Sequence, residues 1–493
     1  MKCFLIDPWG TYYKIILKKN IYISLLIVIS DEIKNEILSL NLDNIESDNI
    51  FSINDIYQLD TFKSFDINKI KEFNFIKFRN FYWTSRHMDS LPNISDSYYT
   101  ALSWFVNFFD NTDIDLILHT QIPHGFIYDS LPLEIAKMKS IPIFVMCDVS
   151  SYKYPLKSVY FLNKKTPLKL SLIIEKNYLI ENSFENNYLK DLKSYSKLNK
   201  LFKNFIINFF IFEKSTYKLK IIYIKKFFKI IFISIFGKVN FEIFFSIFNF
   251  KLKRDFNTGP KNHTLFINHH SIFRLIYGYL YSIFLKIYYY FISVNPDLNS
   301  KFIYFSLSFE PEAANANYKI LSQISLIKMI SSNIPKNILL YVKEHPHQFD
   351  LNNDNTSYQL YSIQKFRNSK FYKSIKNLKN EKLIKSKISS KELISNSIFV
   401  ASMSGSVNLE SFICKKKCII FDTDLNIYSK LPNVYLVDNK EKFEKFIDQD
   451  LNHEKINYDL SNVLNYLFNN TDEQINLVID KIIEYAKKTW KKN

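Results

Sequence analysis

Apolar and polar positions along this chain fall into two alternating stretches with a segment of different character between them. The run IYISLLIVIS (21–30) is ten uncharged residues. That is too short to cross a bilayer and is the length of a buried parallel strand. DEIKNEILSL, which follows it, carries its apolar residues at helical spacing. The pattern then predicts a helix over 98–109, a strand over 115–119, a helix over 130–139 and the strand IPIFVMCD. Alternation of this kind argues for a parallel sheet covered on both faces.

From residue 301 the alternation returns. KFIYFSL predicts a strand, 317–332 a helix, NILLYVKEH a strand and NSKFYKSIKNLKN a helix. The strand EKLIK, a helix opened by SSKEL, the strand SIFVAS, a helix from about Ser406 and the strand KCIIFDTD complete the series. DEQINLVIDKIIEYAKKTWKKN closes the chain as one long helix with a basic end. The expected class is α/β, with two Rossmann-like, doubly wound domains at 1–295 and 296–470 and a C-terminal helix at 471–493. Between them, at about 152–256, lysines interleave with aromatic and aliphatic residues. Two readings stand for this insertion: a helical segment packed on the core, or a basic amphipathic surface resting on anionic lipid.

A chain of 493 residues exceeds one ordinary core. Its 47% hydrophobic and 23% charged content is globular. Six glycines against abundant Ile, Lys, Asn and Phe is the pattern of an AT-rich genome, so part of the lysine excess reflects codon supply. The net charge of +17 admits nucleic acid, anionic lipid or a phosphorylated substrate. Without arginine-rich stretches or a recognisable module, nucleic acid is disfavoured. Cys3, Cys147, Cys414 and Cys418 form neither a disulfide framework nor a zinc set, and read as reduced thiols. Asp7 and Pro8 interrupt any signal-peptide run, so a cytoplasmic protein is expected, peripheral to the inner membrane if the insertion binds lipid.

Five places carry candidate chemistry. In Tyr341-Val342-Lys343-Glu344-His345-Pro346-His347, strand alternation turns Lys343 and His345 the same way, and Pro346 sets His345 at the strand's carboxyl end. An imidazole and an ammonium there suit a diphosphate; a structural histidine is the plainer alternative, and a metal on His345 and His347 lacks further ligands. Ser404, Gly405 and Ser406 stand between a strand and a helix, where unsatisfied N–H groups attract anions, although simple N-capping would also explain the serines. Glu410 follows in that helix; a capping box would want the acid at 409, which is Leu409. Its carboxylate suits ribose hydroxyls, or merely the helix dipole. Glu310 and Glu312 flank Pro311 after KFIYF, and Glu312 would orient hydroxyls, pair with Lys343 or simply sit exposed. His124, beside Gly125 after the strand DLILHT, is a candidate base on the acceptor side. His119 is expected to be buried with its strand, and His269 and His270 to cap a helix.

These segments together resemble the bacterial capsule polysaccharide biosynthesis protein family, which includes the Kdo transferases of capsule lipid linkers. FSLSFEPEA is similar to its strand-end segment ending in glutamine-proline-glutamate, and YVKEHPHQF to its valine-lysine-glutamate-histidine-proline motif. KFRNSKFYKSIKNLKNEKLI, SSKELISNS and SGSVNLESFICKKKCIIFD resemble the blocks downstream, and IPHGFIYDSLPLEIAKMKSIPIF an N-terminal block. Glu310 stands where the family usually has glutamine, Lys416 where a glycine is common, and Asp422-Thr423 replaces phenylalanine-glycine. The resemblance covers about 301–422 and is patchy before it.

The resemblance implies a metal-independent GT-B glycosyltransferase, two Rossmann-like domains facing a cleft, acting in capsule or surface carbohydrate synthesis. On it, His345 with Ser404, Gly405 and Ser406 would hold the phosphate of a nucleotide-sugar, a CMP-Kdo-like donor among the candidates. Lys343 would join the donor site, Glu410 would take the ribose, Glu312 would line the cleft, and His124 would activate a polysaccharide or glycolipid acceptor. No cofactor is implied; anionic inner-membrane lipid is the further partner. Two alternatives remain: a polyol-phosphate transferase of teichoic-type polymer synthesis, and a non-catalytic membrane-associated assembly protein.

Overall fold

The computed structural model describes residues 1–8, 10, 12–57, 59, 91–121, 123, 126–148, 156–162, 166–167, 272–310, 322–345, 348, 366–403, 405, 407–421, 433–437, 440–450, 468–469 and 472–490. Nearly all of the lysine/aromatic insertion therefore lies outside the described residues. The described strands are β1 (Lys2–Asp7), β2 (Tyr22–Val28), β3 (Ile50–Ser52), β4 (Leu116–His119), β5 (Ile143–Asp148), β6 (Leu156–Phe161), β7 (Thr166–Pro167), β8 (Phe302–Ser306), β9 (Leu339–Lys343), β10 (Glu381–Ile384), β11 (Val400–Ser402), β12 (Cys418–Phe421), β13 (Val434–Val437) and β14 (Phe468–Asn469).

They form two sheets. The first runs β14-β6-β5-β4-β1-β2-β3, with β7 on β6. Strands β1 to β5 are parallel, while β6 lies antiparallel on β5. The second runs β10-β9-β8-β11-β12-β13 and is parallel throughout. Counted from its own first strand, the second sheet has the order 3-2-1-4-5-6, the doubly wound Rossmann order, and β1 to β5 repeat its first five places. The α/β class expected from the sequence is the class observed.

Continuous apolar runs become central strands here because both sheet faces are covered. In β1, Phe4 and Ile6 pack in one core with residues of the helices Leu91–Asn111 and Ile127–Met138. Cys3 and Leu5, on the opposite face, join Tyr13, Ile16 and Leu17. Period-two alternation thus feeds two cores from one strand. The hydropathy pattern had not singled out β1, although it is central to its sheet. In the second sheet, Ile303, Phe305, Leu340 and Val342 face one core. Phe302, Tyr304, Tyr341 and Val400 face the other, beneath the helices Ser390–Asn396 and Val407–Ile413.

Two connections differ from the domain limits read in the sequence. The helix Ile272–Ile292 contributes Leu285 and Tyr289 to the core of the second sheet. Past that sheet the chain returns: β14 pairs with β6, and Ile475, Val478, Ile479, Ile482 and Ala486 of the helix Asp472–Trp490 are buried in the first sheet's core. Their spacing of three and four residues is what makes this one helical face. No described helix is long and apolar enough to cross a membrane.

Candidate functional site

In an open parallel sheet, ligands bind beyond the carboxyl ends of the strands where the strand order reverses. In the second sheet that point lies between β8 and β11. Ser306 at the end of β8 is level with Lys343 at the end of β9 and with Ser402 at the end of β11. The three motifs read in the sequence follow these three strands. His345 and Gly405 therefore leave the same edge of one sheet, with β8 between their strands.

Register also sets the faces. Tyr304, Ser306, Lys343 and Ser402 share the side covered by the helices Ser390–Asn396 and Val407–Ile413. Lys343 is buried, and its Nζ donates to Ser390 Oγ at 2.9 Å. Burial lowers its pKa to about 8, against the opposing pull of the Glu410 and Glu344 carboxylates. Tyr304, whose hydroxyl also reaches Ser390, is pushed up to about 12 by burial. Glu410, in the first turn of its helix, is buried on this side of the site. The expectation that Lys343 and His345 point together meets a local change: β9 ends at Lys343, and His345 lies two residues past it. The half-buried imidazole of His345 has its ring centroid 5.3 Å from that of Phe309.

The turn after β11 is organised by Asn408, which the sequence reading had not named. Its Oδ1 accepts from the Ser402 hydroxyl at 2.8 Å and the Cys418 thiol at 3.0 Å, and its Nδ2 donates to Gly405 O at 3.1 Å. One buried amide thus ties β11, β12 and the turn to the helix. Gly405 has φ +111°, and a Cβ on it would meet nothing within 4 Å. Its necessity is therefore backbone conformation, with the peptide left open to approach from outside.

A second polar cluster fills the other side of the same edge. Glu344 is buried; its Oε1 accepts from His345 N at 2.9 Å, and its Oε2 accepts from Arg367 Nε at 2.9 Å and the Tyr372 hydroxyl at 2.7 Å. Burial and the adjoining carboxylate push Tyr372 well above the ordinary phenol value. The Tyr289 hydroxyl accepts from Glu344 N at 3.0 Å and donates to Ile384 O at 2.7 Å. Arg367 donates onward to Ser308 O at 2.9 Å. Gln323 Oε1 accepts from Ser308 N, and Gln348 Oε1 accepts from Glu310 N, both at 2.8 Å.

The first sheet reverses between β1 and β4, and Asp7 ends β1 there. Its carboxylate accepts from Tyr12 N and Tyr13 N at 2.8 Å and from the Thr120 hydroxyl at 2.6 Å, joining the ends of both strands to the helix Tyr13–Leu17. His119 is buried in β4. His124, Gly125, Glu312, Ser404, Ser406, Pro346, His347, His269 and His270 lie outside the described residues. Among the described residues no three His, Cys, Asp or Glu side chains are grouped to hold a metal ion.

No model of a known protein family matches this chain, and no curated protein matches it significantly in sequence. Among solved structures, UDP-GlcNAc 2-epimerase of Methanocaldococcus jannaschii, in complex with UDP-GlcNAc and UDP, is 13% identical over 98% of this chain and 100% of that one, with a TM-score of 0.31. KpsC of Thermosulfurimonas dismutans, a beta Kdo 2,7 transferase, is 13% identical over 43% of this chain and 64% of that one, with a TM-score of 0.23. CalG4, the calicheamicin glycosyltransferase, is 7% identical over 99% of this chain and 98% of that one, with a TM-score of 0.23. Similarity at this level assigns no residue a role. The fold rests on the two sheets themselves.

Proposed function

We propose that this chain is a metal-independent glycosyltransferase with a GT-B arrangement. It would move a sugar from a nucleotide-sugar, a CMP-Kdo-like donor among the candidates, to a growing capsule or surface polysaccharide or glycolipid. One observation supports this reading above the others: Lys343 and His345 on one side, and Gly405 and Glu410 on the other, about sixty residues apart in sequence, follow strands β9 and β11, which end at the same carboxyl edge of a 3-2-1-4-5-6 sheet beside its point of reversal. That edge is where a Rossmann-like sheet receives nucleotides.

Glycosyl transfer builds negative charge on the departing phosphate. Fixed donors beside that phosphate act where charge grows, which is usually the largest catalytic contribution. His345 and the N–H groups of Ser404, Gly405 and Ser406 are the donors in this scheme. Glu410 takes the ribose hydroxyls, Glu312 lines the site and His124 accepts the proton of the attacking hydroxyl. Lys343, bonded to Ser390 beneath the sheet edge, acts through the field it exerts on Glu410. The lysine/aromatic insertion would hold the enzyme on anionic lipid at the inner membrane, close to a lipid-linked acceptor.

The test is a calorimetric screen of cytidine, uridine and guanosine nucleotides, repeated with His345→Ala. One nucleotide class is expected to bind the native chain, and the variant to lose at least about tenfold in affinity, the scale of a hydrogen bond to a charged group. Undiminished sugar transfer by a folded His345→Ala protein would remove the assignment.

A further inference from the structure

The pair Glu344–Arg367 is buried on both sides, with side-chain exposures of 0% and 2%. A buried ion pair is a poor way to gain stability, because desolvating both charges offsets most of their attraction. Removing one partner of such a pair is nevertheless strongly destabilising, so while the fold holds the two side chains stay together. Here the geometry converges on His345. Glu344 is its chain neighbour and accepts the His345 N–H through Oε1. Arg367 holds the other carboxylate oxygen and, with its NH2 group, the carbonyl of Ser308. Ser308 precedes Phe309, whose ring lies against the His345 imidazole.

The remaining contacts lock the same two segments. Gln348 N donates to His345 O at 3.0 Å, and the Gln348 side chain takes both the N–H and the carbonyl of Glu310. The Arg367 guanidinium lies 4.5 Å from the centre of the Phe371 ring, which limits its rotation. A lysine would not serve equally, because an ammonium on a flexible stem lacks the planar fork that reaches Glu344 and Ser308 together.

We propose that Arg367 and Glu344 are positioning residues of this site, one buried ion pair that fixes the carboxyl ends of β8 and β9 against each other and so sets where the His345 imidazole stands. The proposal rests on the transferase reading for what that imidazole does, and on the hydrogen bonds alone for where it stands. The experiment compares the full-length native chain with Arg367→Met, Arg367→Lys and Tyr372→Phe. Three quantities are read: the melting temperature, the His345 ring resonances in a carbon–proton spectrum, and affinity for the nucleotide that the native chain binds in the screen.

Arg367→Met is expected to shift the His345 ring resonances and weaken nucleotide binding at least about tenfold, with Arg367→Lys recovering only part of both. Tyr372→Phe removes one hydroxyl and keeps the ion pair, so a smaller change in the same direction is expected. It keeps the question answerable if Arg367→Met does not fold. Unmoved His345 resonances in the folded variants would overturn the proposal. A native chain whose nucleotide affinity ignores His345→Ala would instead overturn the transferase reading, while the ring resonances would still decide the positioning role.

Discussion

Single residues in the second sheet show how far burial moves chemistry away from what a residue type suggests. Glu381 opens the edge strand β10, is 9% exposed, and neither carboxylate oxygen has a hydrogen-bond partner among the described residues. Burial alone raises its pKa from 4.5 to about 9. Between those values the unfolded chain releases the proton while the folded chain keeps it, so this group's contribution falls as pH rises. Glu381→Gln is therefore expected to stabilise the protein by about 2 kcal/mol at pH 7 and by almost nothing at pH 4. Urea unfolding at the two pH values measures the difference, and an equal effect at both would refute it. Lys343 has the opposite sign: its folded pKa is lowered to about 8, so its penalty is full below that value and is relieved as pH rises toward 10.5.

Among elements, the helix Val407–Ile413 depends on one amide. Removing the Asn408 amide leaves the buried Ser402 hydroxyl and Cys418 thiol without their Oδ1 acceptor, while the Gly405 carbonyl keeps only the Asn408 backbone N–H. Asn408→Ala is expected to destabilise the protein by about 2–3 kcal/mol, since unmade buried hydrogen bonds carry their full desolvation penalty. Nucleotide affinity should fall as well, because the turn that presents Gly405 is no longer tied to β11 and β12. Chemical denaturation and calorimetry check the two effects separately. The helix Ser369–Lys376 is set by a comparable local device: Asn368 Oδ1 caps it by accepting from Phe371 N at 2.9 Å. That cap orients Tyr372 toward Glu344, so a capping residue contributes to the order of the site.

For the whole molecule, the return of the chain to its first sheet matters most. Ile479 is fully buried in the core beneath β1, β2 and β5. The rings of Phe144 and Phe161 stand 5.9 Å and 5.7 Å from Tyr485 on the same helix. Ile479→Asp would bury an unpaired carboxylate there and is expected to cost upwards of about 4 kcal/mol. Loss of the near-ultraviolet dichroism of these rings would report it; a native-like spectrum and melting point would show that the helix is dispensable. The first sheet's core therefore combines residues of β1 with residues of the helix Asp472–Trp490.

What the sequence determined by itself was local. Apolar runs of strand length, helical spacing in 31–40 and 472–493, and Pro346 after a strand are each dictated by backbone geometry over a few residues, and they placed His345 and Gly405 at strand ends. They also sufficed for the α/β class. Tertiary structure alone decided the strand order, the return of β14 to β6, the burial of Lys343 and the pairing of Glu344 with Arg367, 23 residues away. In one dimension Arg367 and Glu344 look like solvated charges in a lysine-rich chain. Which charges leave water depends on which faces meet, and periodicity does not carry that information.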